Sequence, residues 1–483
     1  MSLRRLADYP DLMRAYARVH FVGVGGVGMS GIAEVLATLG YEVSGSDVAD
    51  NATTRRLASV GVRVLKGHDA AHVEDADVLV VSAAIKQDNP ELLAARARRI
   101  PVVPRAEMLG ELMRFRTGIA VAGTHGKTTT TSLVAHVLGE AGLDPTYVIG
   151  GQLNASGNNA RLGQGRFLVA EADESDGSFL LLQSTIAVVT NIDADHLENY
   201  GGSFDRVREA FAEFLHHLPF YGLAVMCLDD PETAALAAAT PRNVMTYGES
   251  EAADVRATVI RQHGSTMHFD LVLPGQPAVA TTLALPGRHN VLNALAAAAI
   301  GWQLGADAAT IVRALGSFGG VGRRFHARGE WPTADGGSAL VFDDYGHHPR
   351  ELEAVFAAAR GGWPDRRLVV AFQPHRYSRT RDLLDDFADV LSRVDVLVLT
   401  DVYPAGEAPI AGADGKALAR AVRTRGRVDP VLVRRAADVH SALAPITKNR
   451  DLVLVMGAGD IGQVAVTLAA GTADSGGGSH ANH

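Results

Sequence analysis

Between the apolar run Gly118-Ile-Ala-Val-Ala122 and the helical stretch Ser132 to Leu138 stands Gly123-Thr124-His125-Gly126-Lys127-Thr128-Thr129-Thr130. A strand, a glycine-rich loop ending in Gly-Lys-Thr and a helix, in that order, predict a phosphate loop on a parallel sheet. Successive backbone N–H groups and a helix N-terminus attract phosphate oxygens, the lysine reaches the β and γ phosphates, and the adjacent hydroxyl suits Mg2+. Val121 occupies the first glycine position of the usual G-x-x-x-x-G-K-[ST] pattern, so the loop is a variant. A merely glycine-rich helix start is the bland reading; strand, Gly-Lys-Thr and helix together weigh against it.

The flanking sequence supplies the sheet. Val19 to Gly23 reads as a buried strand, followed by a glycine-rich turn, a helix over Ile32 to Leu39 and a strand at Glu42 to Ser44, a βαβ opening. Strands at Asp77 to Ser82 and Val102-Val103 and a helix over Ala106 to Arg114 lead into the phosphate-loop strand. Beyond it, strands are expected at Phe167 to Ala170 and Ala187 to Thr190, then a small antiparallel attachment built from Thr266 to Leu273 and Ala278 to Leu285. Helices over His289 to Leu304 and Ala308 to Leu315 precede a third alternation, with strands at Ala339 to Phe342, Leu368 to Phe372, Val394 to Thr400 and Leu452 to Met456, read as a third parallel sheet. The 483 residues suit three domains at roughly 150 residues each. The expectation is an α/β chain with an N-terminal Rossmann-like domain over 1–116, a central P-loop ATPase-like domain with the antiparallel attachment over 117–326, a C-terminal Rossmann-like domain over 327–470, and a disordered tail over 471–483.

Composition narrows the partners. Acids outnumber bases 54 to 45, a net charge of −9, so the chain has no general attraction to nucleic acid or anionic membrane and must hold an anion at a local site. Cys227 is the only cysteine, which excludes an intrachain disulfide and a thiolate zinc cluster. No stretch reaches ~18 uninterrupted apolar residues, and no signal-like run opens the chain. The expected setting is the cytoplasm without membrane insertion.

Further chemistry gathers at strand ends. Phe167 to Ala170 runs into Glu171-Ala-Asp-Glu-Ser-Asp176, and Asp195-His196 follows the next apolar run. Carboxyl ends of parallel strands form the ligand crevice, so Glu171 and His196 can face the same phosphates as Lys127, although histidine is an unusual Mg2+ ligand. Gly23-Val-Gly25-Gly-Val-Gly28 fits G-x-G-x-x-G, with Asp47 at the end of the next strand, and Gly457-Ala-Gly459-Asp-Ile-Gly462 repeats the pattern without a following strand. For that second copy a structural turn and a ligand loop are both open. Asp343 to Pro349, with Tyr345, His347 and His348, and Gln373 to Thr380, with His375, Arg376 and Arg379, follow predicted strands. The arginines can clamp a carboxylate or phosphate, or make salt bridges in a helix first turn where they oppose the dipole. The two histidines read equally as proton carriers or turn residues; His216-His217 reads as structural.

Together these segments resemble the Mur ligases, with Leu218-Pro-Phe-Tyr-Gly222, Gly287-Arg-His-Asn290, Asn293 and Gly322-Arg-Arg324 adding to the likeness, which extends to about residue 470. The resemblance is strongest to the alanine-adding branch. It implies an ATP-dependent ligase of peptidoglycan synthesis that joins L-alanine to the carboxylate of UDP-N-acetylmuramate through an acyl phosphate. It implies that Gly123 to Thr129, Asn293 and Arg324 serve ATP, with Asn293 at adenine and Arg324 near the γ-phosphate. Thr128 and Glu171 would hold one Mg2+, and Glu171 with His196 a second. Gly25, Gly28, Asp47 and Ser82 would serve the uridine diphosphate, and Tyr345, His347, Arg376 and Arg379 the amino acid and acceptor carboxyl. Lys127, Glu171, His196, Arg324 and His347 form the implied catalytic set, in a monomer or weak homodimer.

Several Mur ligases carry a carbamylated lysine beside the second metal, and Asp205 to Val225 contains no lysine. The nearest rival is a recycling ligase that adds a preformed peptide to the same UDP-sugar. A nicotinamide-dependent oxidoreductase would use Gly23 to Gly28 but leave Lys127 and Glu171 without a task; a non-catalytic nucleotide-binding regulator is the third alternative.

Overall fold

The computed structural model describes residues 12–82, 84–150 and 159–470; the expected tail over 471–483 lies outside them. Three sheets carry the chain. The first is wholly parallel, in the spatial order Arg63–Lys66, Glu42–Asp47, Arg18–Val22, Val78–Val81, Val102–Pro104. Its chain order therefore reverses beside the first strand, and the crevice at that reversal, at the strands' carboxyl ends, is where the Gly23–Gly28 turn emerges. Central strands such as Val78–Val81 are apolar on both faces because helices cover both sides.

The second sheet places Thr117–Ala122 between Ile186–Val189 and Phe167–Glu171, all parallel and in register. Thr146–Val148 lies beyond Phe167–Glu171, with the short antiparallel Ala160–Arg161 at that edge. On the other side come Leu223–Cys227 and Asn243–Gly248, and the sheet order ends in Val255–His263, Thr266–Val272 and Val279–Leu283.

The third sheet runs His326–Pro332, Ser338–Asp344, Leu452–Met456, Leu368–Phe372, Val396–Leu399, Val431–Leu432. It is mixed rather than parallel, which corrects the sequence reading. His326–Pro332 pairs antiparallel with Ser338–Asp344, because the five-residue Thr333–Gly337 connection can only close a hairpin. The alternating, largely polar His-Ala-Arg-Gly-Glu-Trp-Pro hides this edge strand from a search for apolar runs.

Two compact units result. One comprises Met1–Thr258, Leu271–Val279 and Leu292–Phe318; the other Val259–Asp270, Ala280–Val291 and Gly319–His483. In the first unit a single apolar core joins Val19, Ile32, Leu36 and Leu112 to Ala120, Leu168, Phe179 and Phe211, so the first two sheets share one interior. Glycines make that approach possible: a Cβ on Gly110 would lie 2.5 Å from the Leu181 carbonyl oxygen, and one on Gly31 3.0 Å from Ala160. Among the described residues no helix is long and apolar enough to cross a membrane.

Candidate active-site residues

Lys127 opens the helix Lys127–Glu140, directly after the central strand and loop. Gly126 caps that helix at φ +84 with no side-chain hydrogen bond, so the first-turn N–H groups keep their capacity to bind an anion. The loop is pinned from the end of the neighbouring strand. His125 N donates to Asn191 Oδ1 at 2.9 Å, Thr124 N donates to Asn191 O at 3.0 Å, and Thr190 Oγ1 and Asn191 Nδ2 donate to His125 O at 2.7 and 2.9 Å. The His125 imidazole meets Asp193 at 3.1 Å. A Cβ on Gly123, at φ +127, would sit 2.1 Å from Thr190 Oγ1, so only glycine fits there.

Lys127 Nζ donates to Gly123 O at 2.7 Å and Thr124 O at 3.1 Å and meets Glu174 Oε2 at 2.8 Å. Burial alone would lower its pKa, but Glu174, Asp173 and Glu171 outweigh burial and raise it, so the ammonium stays charged. Burial pushes Glu174 up to about 7 against the pull of Lys127. Asp173, also desolvated, is held below the ordinary carboxylate range by Lys127, Ser175 and Arg105. Glu171 ends its strand with Gly150 behind it, where a Cβ would lie 2.3 Å from Glu171 Oε2. His196, at φ +54, lies beyond the next strand with its Nε2 3.5 Å from Asp195. Asn293 is buried behind the loop, accepting from Thr130 Oγ1 at 3.0 Å. Thr128 and Thr129 lie in the helix's first turn.

The N-terminal turn is held in the same way. Gly23 N and Val24 N donate to Ser46 O at 2.8 and 2.9 Å, and Gly25 N donates to Asp47 Oδ2 at 2.8 Å. Asp47 Oδ1 accepts from Ala49 N at 2.9 Å, so this carboxylate fixes the turn and its own loop. Gly28 faces Arg105, whose Nη1 would be 2.8 Å from a Cβ there. The Arg105 guanidinium also lies 3.8 Å from Asp173, between the glycine turn and the acidic strand end. Ser82 follows the adjacent strand Val78–Val81. Arg105 and Glu174 escaped the sequence reading. Arg105 follows a three-residue strand, and the strand-end rule applied there would have found it; nothing in the spacing of Glu171 to Asp176 singles out Glu174.

In the second unit, Tyr345 lies under two guanidinium groups, Arg323 at 5.0 Å and Arg324 at 5.4 Å, and Arg324 reaches Glu351 at 3.7 Å. Tyr345 meets His347 edge-on at 5.5 Å, and His347 meets His375 at 5.6 Å. Burial lowers His347 to about 3 and His375 to about 4, with Arg379 adding to both, so both rings are neutral at pH 7. His348 is a helix cap: its backbone N–H donates to Glu351 at 3.2 Å and its ring accepts from Arg350 N. Arg376 caps the six-residue helix Tyr377–Asp382 and Arg379 is buried within it. The Gly457–Gly462 turn is filled by protein. Gln373 accepts from Ile461 N and donates to Asp460, Arg323 donates to Gly457 O at 2.6 Å, and a Cβ on Gly462 would strike the Arg323 guanidinium. This copy of the glycine pattern is a structural turn.

A phosphate loop on the central sheet, with α/β segments before and after it, defines a multidomain nucleotide-binding α/β protein, and its likeness to known proteins places it in a family of ATP-dependent ligases. Residues 18–117 match the Mur ligase family catalytic domain, 121–301 the Mur ligase middle domain, and 323–459 the Mur ligase glutamate ligase domain. The chain belongs to the Mur ligase family. It is 69% identical over 463 residues to UDP-N-acetylmuramate–L-alanine ligase of Xanthomonas campestris, covering 96% of this chain and 97% of that protein. It is 68% identical to the Stenotrophomonas maltophilia enzyme of the same name, covering 97% and 98%. Among solved structures, UDP-N-acetylmuramate–alanine ligase from Thermotoga maritima superposes with a TM-score of 0.79 at 30% identity, covering 95% of this chain and 99% of that one. A murein peptide ligase from Psychrobacter arcticus shares the fold, with a TM-score of 0.69 at 24% identity over 94% and 98% of the two chains.

Proposed function

We propose that this chain is an ATP-dependent ligase joining L-alanine to UDP-N-acetylmuramate in peptidoglycan synthesis, in the cytoplasm. The near-full-length identity to enzymes of that activity supports the substrates. The observation that carries the chemistry is the half-buried Lys127 held among Glu171, Asp173 and Glu174 at the foot of a helix whose N-cap, Gly126, offers no side-chain hydrogen bond. A carboxylate oxygen leaves poorly when an amine attacks. The sugar carboxylate therefore takes the γ-phosphoryl group of ATP, releasing ADP, and the neutral alanine amine attacks the acyl phosphate. The amide forms as its nitrogen gives up one proton, which the departing inorganic phosphate accepts as it leaves with the former carboxylate oxygen.

The loop N–H groups from Gly123 to Thr129 and Lys127 bind and orient the phosphates, and Arg324 adds positive charge for the transferring group. Asn293 supports the loop from behind through Gly126 and Thr130. The donor set fits Mg2+: an excess of desolvated carboxylate, with Glu174 pushed up to about 7, is relieved by a hard divalent cation. Thr128 and Glu171 would hold one ion and Glu171 with His196 a second, and Mg2+ there would supply charge neutralisation on the phosphate oxygens. Gly25, Gly28 and Ser82 line the UDP site, Asp47 holds its turn, and Arg105 meets the diphosphate charge. Tyr345, His347, Arg376 and Arg379 receive the amino acid; the neutral, weakly basic His347 orients the amine more readily than it removes its proton. The N-terminal, central and C-terminal roles are assigned to residues 1–116, 117–326 and 327–470.

The deciding experiment is a coupled phosphate-release assay with ATP, Mg2+, UDP-N-acetylmuramate and individual amino acids or the tripeptide. Alanine-dependent release supports the reading; preference for the tripeptide, or amide formation without nucleotide consumption, overturns it.

A further inference from the structure

Arg376 has φ +70 and ψ 136, a strained backbone state that a side-chain-bearing residue keeps only where its surroundings enforce it. The enforcement comes from Tyr403 and Glu407. Arg376 N donates to Tyr403 O at 2.9 Å and Tyr403 N donates to Pro374 O at 2.8 Å, which makes a short parallel bridge centred on His375 and Tyr403. The Tyr403 ring stacks on the His375 imidazole, with centroids 5.5 Å apart and planes 7° from parallel. Gly459 forms the floor beneath Tyr403, where a Cβ would lie 2.8 Å from the ring. Four residues on, the Glu407 carboxylate accepts from Ser378 N at 3.0 Å and Ser378 Oγ at 2.6 Å, on the other side of Arg376. Thr380 closes the turn, donating to Arg376 O from both N (3.2 Å) and Oγ1 (2.8 Å).

We propose that Tyr403 and Glu407 are positioning residues for the amino-acid substrate: together they form a clasp that fixes the backbone of Arg376 and the ring plane of His375. This rests on the assignment of Arg376 to the amino-acid site. The clasp acts through Arg376 and His375 and needs no contact of its own with substrate. A tyrosine hydroxyl contributes nothing to it, whereas the flat ring and the main-chain bridge do.

The test is steady-state kinetics of Tyr403→Ala, Tyr403→Phe, Glu407→Ala and Arg376→Ala, with each substrate varied in turn. Tyr403→Ala and Glu407→Ala are expected to raise the KM for L-alanine on the order of tenfold, the worth of one lost ordering interaction, with kcat and the KM values for ATP and UDP-N-acetylmuramate little changed. Tyr403→Phe, which keeps the ring, rescues the alanine KM. In the Arg376→Ala background, Tyr403→Ala adds less than about twofold, because the two act as one unit. Independent, multiplying effects of Tyr403→Ala and Arg376→Ala, an equal rise in all three KM values, or Phe no better than Ala overturns the clasp. If Tyr403→Ala does not fold, Glu407→Ala reads the same KM from the other end, and an unchanged value there overturns it. Should wild type use a different amino acid, the functional reading falls on that control alone, and the clasp is read on the KM of the amino acid used.

Discussion

Replacing Lys127 by Met removes a 2.8 Å ion pair to a carboxyl whose side chain is only 4% exposed. Glu174 is then a buried acid without its cation, and breaking one side of a buried pair costs about 3–5 kcal/mol. The structure sets its own limit. Burial already lifts Glu174 from 4.5 to about 7 with the lysine present, so without it the carboxyl takes a proton at neutral pH. The wild type already bears most of the cost of protonating a buried group of ordinary value 4.5, because its own value is about 7, so at pH 7 the loss of Lys127 adds through Glu174 only about 0.4 kcal/mol, the RT ln 2 of completing a half-finished protonation. The sign follows from a folded pKa raised further above the unfolded one: relative to wild type the added penalty is negligible well below pH 7 and grows above it by about 1.36 kcal/mol per pH unit until the variant's own carboxyl ionises. At pH 8.5 the same arithmetic gives about 2 kcal/mol. The assay is urea unfolding of Lys127→Met against wild type at pH 7 and 8.5, beside Lys127→Met/Glu174→Gln. The double variant should differ from wild type by nearly the same amount at both pH values and show none of the ATP-dependent phosphate release. A Lys127→Met deficit equal at both pH values, or one that shrinks as pH rises, refutes the reasoning.

Three other substitutions read separate parts of the site. If Glu171 holds Mg2+ as proposed, Glu171→Gln should move half-saturation in a Mg2+ titration of phosphate release up by at least about tenfold; a superimposable titration counts against ligation. Arg105→Ala should weaken UDP-N-acetylmuramate binding, measured by calorimetry without ATP, by about ten- to a hundredfold, the worth of a charge-assisted hydrogen bond. Equal affinity would free Arg105 of that role. Gly126→Ala meets φ +84 and places a Cβ 2.6 Å from Asn293 Oδ1, so ATP affinity and thermal stability should both fall; an unaltered protein would show that the loop does not need this geometry.

Sequence reading reached the central loop because its chemistry is local. Gly126, Lys127 and Thr128 are consecutive, and the apolar run before them can only be a buried strand. The residues that make the loop rigid are not local: Thr190, Asn191 and Asp193 come from the neighbouring strand end, and Asn293 from a helix far along the chain. Distance in sequence hides Thr190, Asn191 and Asp193, since only the strand order brings Ile186–Val189 beside Thr117–Ala122, and Asn293, named through the resemblance as an adenine residue, shows its support of the loop only in the fold. Edge strands were equally hard to see. Arg63–Lys66 and His326–Pro332 are short or polar because one side of each meets solvent, and the second of these turned an expected parallel sheet into a mixed one.

The two G-x-G-x-x-G turns show why a pattern of glycines does not by itself mark a ligand site. Both follow the carboxyl end of a buried strand, and in both the glycines exist because something must come close to the backbone. At Gly457–Gly462 the neighbours are Gln373 and Arg323, whose side chains already use the turn's polar groups, and the ring of Tyr403 against Gly459. At Gly23–Gly28 the turn's own N–H groups are anchored to Ser46 and Asp47, and the neighbour over Gly28 is Arg105, a cation beside acidic Asp173. In the UDP-binding role proposed for it, an arginine held between this turn and a carboxylate 3.8 Å away would exchange that carboxylate for a diphosphate. Both turns therefore meet a cation, and its partner separates them: Arg105 at the first faces a side-chain carboxylate 3.8 Å away, whereas Arg323 at the second donates to the turn's own Gly457 carbonyl, beside the Gln373 amide that binds Asp460 and Ile461.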